Sequence, residues 1–284
     1  MPLTEIFHLT NRKVNMMFWK NTATLDHLMP ELLETVPSDD AEIAVIGSKP
    51  IDLKSMPQLK GIFKCGVGTD NVPFQEAEQR GIAIGLPSDQ TRSYIFEETA
   101  NFAVYLIFRM LYNDLGSLDP WRKRSRVFLG NKNVLVMGLG NIGKLVTRKL
   151  GPFAEVFTFD IAVNKENELK GLISQADVIS LHIPLNEETR HFIDAEKMAW
   201  IKDGAAIVNT ARGPVVDEDA LYKEVSAGRL RAAFDVFWKE PYQGKLLKYH
   251  PERFFMTPHV SSNCEDFLTG LALDCRAFVQ SLNR

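Results

Sequence analysis

Short apolar runs alternate with stretches of helical periodicity along most of this chain, a pattern that predicts repeated βαβ units and parallel sheets. Residues 6–9 (IFHL), 42–47 (EIAVIG), 61–66 (GIFKCG) and 82–85 (IAIG) form a first set of predicted strands. A second set follows Asn131: 133–137 (NVLVM), 155–159 (EVFTF), 177–183 (DVISLHI), 205–210 (AAIVNT), 232–237 (AAFDVF) and 254–258 (FFMTP). Between the sets, a proline-free apolar pattern over residues 93–116 predicts an extended helix crossing from one domain to the other. A last helical pattern over 265–282 has to return towards the first set. The expected fold is therefore α/β, with two doubly wound parallel-sheet domains: residues 1–95 with 265–284, enclosing 96–264. At 284 residues two domains are the natural division, and there are no internal repeats or low-complexity tracts.

The densest chemistry lies in GLGNIG, Gly138 to Gly143, directly after the NVLVM strand. Strand, glycine turn and helix is the context a dinucleotide needs. Gly138 permits the turn, Gly140 lets a pyrophosphate approach the backbone, and Gly143 lets the following helix pack on the sheet. Asn141 and Ile142 open that helix, where free N–H groups would meet the anion. The second strand ends in Asp160, seventeen positions after Gly143, near the spacing of about 20 expected for a ribose-binding acid. A carboxylate there repels a 2′-phosphate, and Ile161 and Ala162 bring no arginine, so NAD is favoured over NADP. The alternative is an ordinary glycine-rich turn.

Composition narrows the field further. Thirty-three basic against thirty-six acidic residues leave a net charge of −3, which does not point to nucleic acid or an anionic membrane. WRKRSR (121–126) is one dense basic cluster, read as a solvated hinge or dimer arm rather than a phosphate contact. With no apolar leader in MPLTEIFHLTNRK and no stretch long enough to span a bilayer, a cytoplasmic location is expected. Cys65, Cys264 and Cys275 show no metal-binding spacing, so reduced thiols and no metal are expected.

The ordered motifs CGVGTDNV (65–72), GLGNIG, LHIPL (181–185), NTARGPVVDEDAL (209–221), DVFWKEP (235–241) and TPHVSS (257–262) resemble the D-isomer-specific 2-hydroxyacid dehydrogenases over most of the chain. The resemblance implies a Rossmann NAD-binding domain inserted into a flavodoxin-like substrate domain, an active-site cleft between them, and a homodimer built on the NAD domains. It implies interconversion of a small 2-oxo acid and the D-2-hydroxy acid.

That chemistry needs a cation for the carboxylate, a proton donor for the carbonyl oxygen and a fixed hydride donor. Arg212, at a strand end, can pair bidentately with a carboxylate and matches the family's catalytic arginine. His259 suits proton exchange near neutrality, with an unperturbed pKa of about 6.5. Glu240 matches the acid that orients the imidazole. Asp235 resembles the residue that takes the nicotinamide amide; the alternative is a helix or turn cap. His182, Pro184, Thr210, Ala211 and Ser261 line up with positions beside the dinucleotide, although a structural histidine is the more ordinary role for His182. Val67 and Gly68 match the loop whose amides meet the substrate carboxylate. Lys64 stands where phosphoglycerate enzymes commonly have an arginine and hints at a second substrate anion; a solvated strand-edge lysine is the plainer reading. His8, His27, His191 and His250 are expected at the surface.

The chain also departs from the family. SYIFEETA (93–100) carries bulkier Tyr94 and Phe96, and Glu98 replaces the usual histidine. With little sequence after Arg276, control by serine is not expected. Formate or phosphite oxidation is an alternative on the same fold. A different class of function is an NAD-sensing corepressor or scaffold.

Overall fold

The structure is a computed structural model and describes residues 16–282, so the expected strand at 6–9 and His8 lie outside the described residues. The chain divides into two compact units, Met1–Ile95 with Cys264–Arg284, and Phe96–Asn263.

In the first unit, β1 (Phe18–Lys20), β2 (Ile43–Ile46), β3 (Gly61–Lys64) and β4 (Ala83–Gly85) form a parallel sheet in that order. Every residue of β2 and β3 is buried, as expected for strands covered on both faces. Successive side chains alternate between the faces. Ile43, Val45 and Phe63 pack with Leu271, Cys275 and Val279 of the closing helix Glu265–Leu282. Ala44, Ile46 and Ile62 pack with Leu53, Met56 and Ala77 on the other side. The sequence pattern did not expose β1: three residues are too few to show a period.

The long central helix runs over Asp89–Leu111, against an expected 93–116. It starts early because the Ser88 hydroxyl accepts the Thr91 amide at 3.3 Å, a cap that PSDQT advertises. Past Leu111 the chain leaves the helix and forms a small antiparallel hairpin of β5 (Gly116–Ser117) and β6 (Arg122–Lys123). This hairpin, which the apolar pattern did not reveal, holds part of the basic cluster; within it, Arg124 pairs with Asp114.

The second unit carries β7 (Asn133–Met137), β8 (Glu155–Phe159), β9 (Val178–Leu181), β10 (Ala206–Asn209), β11 (Arg231–Phe234) and β12 (Phe254–Met256). All are parallel, in the order β12-β11-β10-β9-β7-β8. Leu135 and Met137 face a core shared with Leu169, Met198 and Leu221, whereas Val134 and Val136 face Leu106, Ile107 and Val146. Helices thus cover both faces. From β7 the chain steps outward to β8 and then crosses to β9 on the other side. The order reverses at β7, and a crevice for a ligand is expected beyond its carboxyl end. Among the described residues no helix is long and apolar enough to cross a membrane.

Candidate functional site

The GLGNIG turn stands at that switch point. Gly138 has φ +93°, and a Cβ on it would meet the His182 carbonyl oxygen at 2.6 Å. A Cβ on Gly143 would meet the Gly138 carbonyl oxygen at 1.8 Å, so the helix Asn141–Leu150 can seat against the turn only without a side chain there. Gly140 is different: a Cβ there would meet no protein atom within 4 Å. As the N-cap it also brings no side-chain acceptor, which leaves the first-turn amides of Asn141 and Ile142 open to an anion.

Asp160 follows β8 and accepts the Leu139 amide at 2.6 Å and the Ala162 amide at 2.9 Å. Those two amides hold its carboxyl below the ordinary range, so it is ionised at neutrality and repels a phosphate beside it. Thr210, just past β10, buries a hydroxyl that has no partner among the described residues. Open helix amides, an unfilled space at Gly140, a fixed carboxylate and an unpartnered hydroxyl are the donor and acceptor set a dinucleotide requires, and the residues fit NAD.

His182 bonds through Nε2 to the Ser180 hydroxyl at 2.8 Å. Burial pushes its pKa down to about 4, so the ring is neutral. Pro184 is exposed, with its carbonyl accepting the Thr189 hydroxyl at 2.6 Å.

Arg212, Glu240 and His259 come from three neighbouring strand ends. Arg212 is half-buried and donates to the Ala211 carbonyl at 2.7 Å. A Cβ on the adjacent Gly213 would meet the Phe237 carbonyl carbon at 2.1 Å, so the Arg212 turn lies directly on the backbone that leads to Glu240. Glu240 receives the Phe237 amide at 3.2 Å, and its two oxygens lie 2.9 and 3.1 Å from His259 Nδ1. Burial pushes the Glu240 carboxyl up, but the hydrogen bond and charge of His259, the Phe237 amide and the Arg212 charge outweigh it, and the net shift is down. A carboxylate on Nδ1 fixes the neutral ring's proton there and leaves Nε2 for exchange.

His259 has φ +56°, a left-handed conformation that costs a non-glycine residue of order 1–3 kcal/mol and persists only where the surroundings impose it. The surroundings are Asp235, fully buried, which accepts the Thr257 hydroxyl at 2.6 Å and the Val260 and Ser261 amides at 2.9 Å. Asn209 plays a matching part for Arg212 and was not singled out by the motifs; its signal, an asparagine closing an apolar strand run before a turn, was visible.

In the first unit the loop after β3 turns at Gly66, φ +137°. Val67 and Gly68 are half-buried, and no carbonyl among the described residues accepts from their amides. Lys64 is not the solvated strand-edge lysine of the plainer reading: it is 3% exposed, and its ammonium donates to the Gly47 carbonyl at 2.6 Å. Trp238 likewise turns inward, donating from its indole to the Val216 carbonyl at 2.7 Å. His27, His191 and His250 are exposed. Among the described residues no cluster of side chains has metal-binding character.

Residues 116–261 match the sequence model of the D-isomer specific 2-hydroxyacid dehydrogenase NAD binding domain. The chain is 33% identical over 260 residues to a hydroxypyruvate reductase of Thermotoga maritima, covering 84% of each sequence. It is 33% identical over 262 residues to a glyoxylate reductase of Thermofilum pendens, covering 82% of this chain and 75% of that one. Among solved structures, D-lactate dehydrogenase from Aquifex aeolicus, complexed with NAD and lactic acid, has the same fold with a TM-score of 0.76, at 24% identity over 93% of this chain and 94% of that one. The chain belongs to the D-isomer-specific 2-hydroxyacid dehydrogenase family, and residues 116–261 are its NAD-binding domain.

Proposed function

We propose that the protein reduces a small 2-oxo acid to its D-2-hydroxy acid, with Arg212 binding the carboxylate, His259 as the acid and base, and Glu240 orienting it. The observation that carries this reading is the Glu240 to His259 Nδ1 pair at 2.9 Å beside the turn that bears Arg212. Bound NADH supplies the hydride. Arg212 offers a planar fork that matches a carboxylate and draws charge from the adjacent carbonyl. His259, protonated, delivers a proton from Nε2 to the carbonyl oxygen; in the reverse direction the neutral ring takes the hydroxyl proton. Glu240, ionised, stabilises the imidazolium and keeps the ring in place.

The relatives named above as hydroxypyruvate and glyoxylate reductases favour a substrate of that size with one carboxylate. The exposed Leu115, Leu118, Trp121 and Phe128, 58–80% accessible around the β5–β6 hairpin, are the apolar surface we assign to a homodimer. Light scattering that gives a monomer mass at micromolar protein would remove that assignment.

NADH oxidation against glyoxylate, hydroxypyruvate, pyruvate, phosphohydroxypyruvate and a bulky branched 2-oxo acid tests the reaction, with NADPH as the control cofactor. The expected result is turnover with a small unphosphorylated acid, lowered about a hundredfold or more in His259→Ala, while NADH affinity is kept. Undiminished turnover in that variant sinks the assignment of His259, and tight NADH binding without turnover favours a sensing role.

A further inference from the structure

Two turns bear the proposed catalytic side chains, and each is held by one fully buried polar residue. Asn209 closes β10 and spends both ends of its amide on the Arg212 turn: Oδ1 accepts the Ala211 amide at 2.9 Å and Nδ2 donates to the Arg212 carbonyl at 2.8 Å. Asp235 follows β11 and spends its carboxylate on the His259 turn, through the Thr257 hydroxyl and the Val260 and Ser261 amides. The two are joined, since the Asp235 amide donates to the Asn209 carbonyl at 3.0 Å across neighbouring strands.

We propose that Asn209 and Asp235 are a coupled pair of positioning residues, one setting Arg212 and the other His259. The proposal rests on the catalytic roles given above. Its chemical basis is that the two positions have opposite needs. The Arg212 turn presents one amide and one carbonyl, so its clamp must both accept and donate, which asparagine does and aspartate does not. The His259 turn presents three donors and no acceptor, so its clamp must accept only, which aspartate does and asparagine does not. A buried carboxylate without partners would be strongly unfavourable; three donors satisfy this one. They also hold His259 at its left-handed φ. The register places Asn209 opposite Phe234, one residue before Asp235. A shift of either strand end therefore moves both turns.

Exchanging the two chemistries is the test. Asn209→Asp sets a carboxylate oxygen against the Arg212 carbonyl and is expected to raise KM for the 2-oxo acid by about tenfold or more, with NADH affinity kept. Asp235→Asn sets an amide N–H against the turn's donors and is expected to lower kcat by about a hundredfold, the size of effect a 1 Å misplacement produces. Backbone hydrogen exchange should quicken over 210–213 in the first variant and over 259–262 in the second. Thr257→Val, which removes one donor and leaves the buried carboxylate, should show the Asp235→Asn effect in smaller measure and serves if that variant does not fold. Wild-type KM in Asn209→Asp, or an Asp235→Asn variant whose only change is weaker NADH binding at unchanged kcat, overturns the pair. Wild-type protein that turns over no 2-oxo acid overturns the catalytic reading instead; the exchange pattern then decides the clamps, with localised quickening for them and uniform or absent quickening against.

Discussion

The carboxyl ends of the two sheets are built on opposite plans. In the Phe96–Asn263 unit three strands end in or run into polar side chains that hold loop backbone: Asp160 and Asp235 reach a neighbouring loop, and Asn209 its own turn. In the other unit the end of β3 and the loop after it turn side chains onto one carbonyl: Lys64 at 2.6 Å and Asn71 at 2.9 Å both donate to Gly47. Among the described residues, what that unit leaves open is the backbone amides of Val67 and Gly68 and one buried acceptor, Asn71 Oδ1. The first plan aims side-chain chemistry at set positions. The second presents a small-residue loop whose donors are the chain itself, and the inward lysine stiffens the loop beneath it. Side chains specify an acid, a base and a cation; amides specify only an anion.

The largest expected effect breaks the first plan at its tightest point. Gly143→Ala drives a Cβ to 1.8 Å from the Gly138 carbonyl oxygen, which neither backbone can yield without opening the turn. NADH binding, followed by fluorescence titration, should weaken more than about a hundredfold, well beyond the loss of one ordinary hydrogen bond. Gly140→Ala sharpens the same point. Its Cβ would enter space that no protein atom lines within 4 Å, so the melting temperature should stay while NADH binding weakens by about tenfold, a cost paid only against the cofactor. Wild-type NADH affinity in that variant would remove the pyrophosphate from this loop.

Lys64→Met asks whether the second plan is as described. If the lysine is a clamp on Gly47, the variant lowers the melting temperature through loss of a buried charged hydrogen bond of about 1.5–3 kcal/mol. It leaves the ratio of activities on phosphohydroxypyruvate and hydroxypyruvate unchanged. A selective loss on the phosphorylated acid would return Lys64 to the substrate.

These contrasts also mark how far the sequence could be read. NVLVM coincides with β7 because a strand buried on both faces has no choice but an unbroken apolar run; EVFTF coincides with β8, the edge strand, which is only partly buried and so carries Glu155 and Thr158 among its apolar residues. The closing helix coincides with Glu265–Leu282 for a similar reason: its apolar stripe is long. Arg212, Glu240 and His259 lie in short motifs whose residue types are tied to one chemistry, and the Glu240 and His259 side chains meet, as their motifs suggested. The burial of Lys64 is not legible in the sequence, because nothing local distinguishes a lysine that reaches solvent from one that reaches back to a carbonyl seventeen residues earlier. For Asn209 the sequence shows an asparagine closing a strand before a turn, but its partners, the Ala211 amide and the Arg212 carbonyl, are set only when the turn is closed. The β5–β6 hairpin escaped because two-residue strands leave no period.

The smallest expected effect concerns pH. The Glu240 carboxyl is held below its ordinary value of 4.5, its burial outweighed chiefly by the hydrogen bond to His259. A carboxyl whose folded pKa is depressed binds fewer protons folded than unfolded, so its contribution to stability is complete above about 4.5 and disappears as the pH falls through the lower folded value. Melting temperatures of the wild-type protein and Glu240→Gln should therefore differ at pH 6 to 7 and converge as acid is added. The expected gap at neutrality is a few degrees at most, because both side chains keep partial access to water, 26% for Glu240 and 34% for His259. A gap that widens in acid would mean that Glu240 is stabilised by its protonated form, and the imidazole would then lack the fixed negative partner that an orienting role demands.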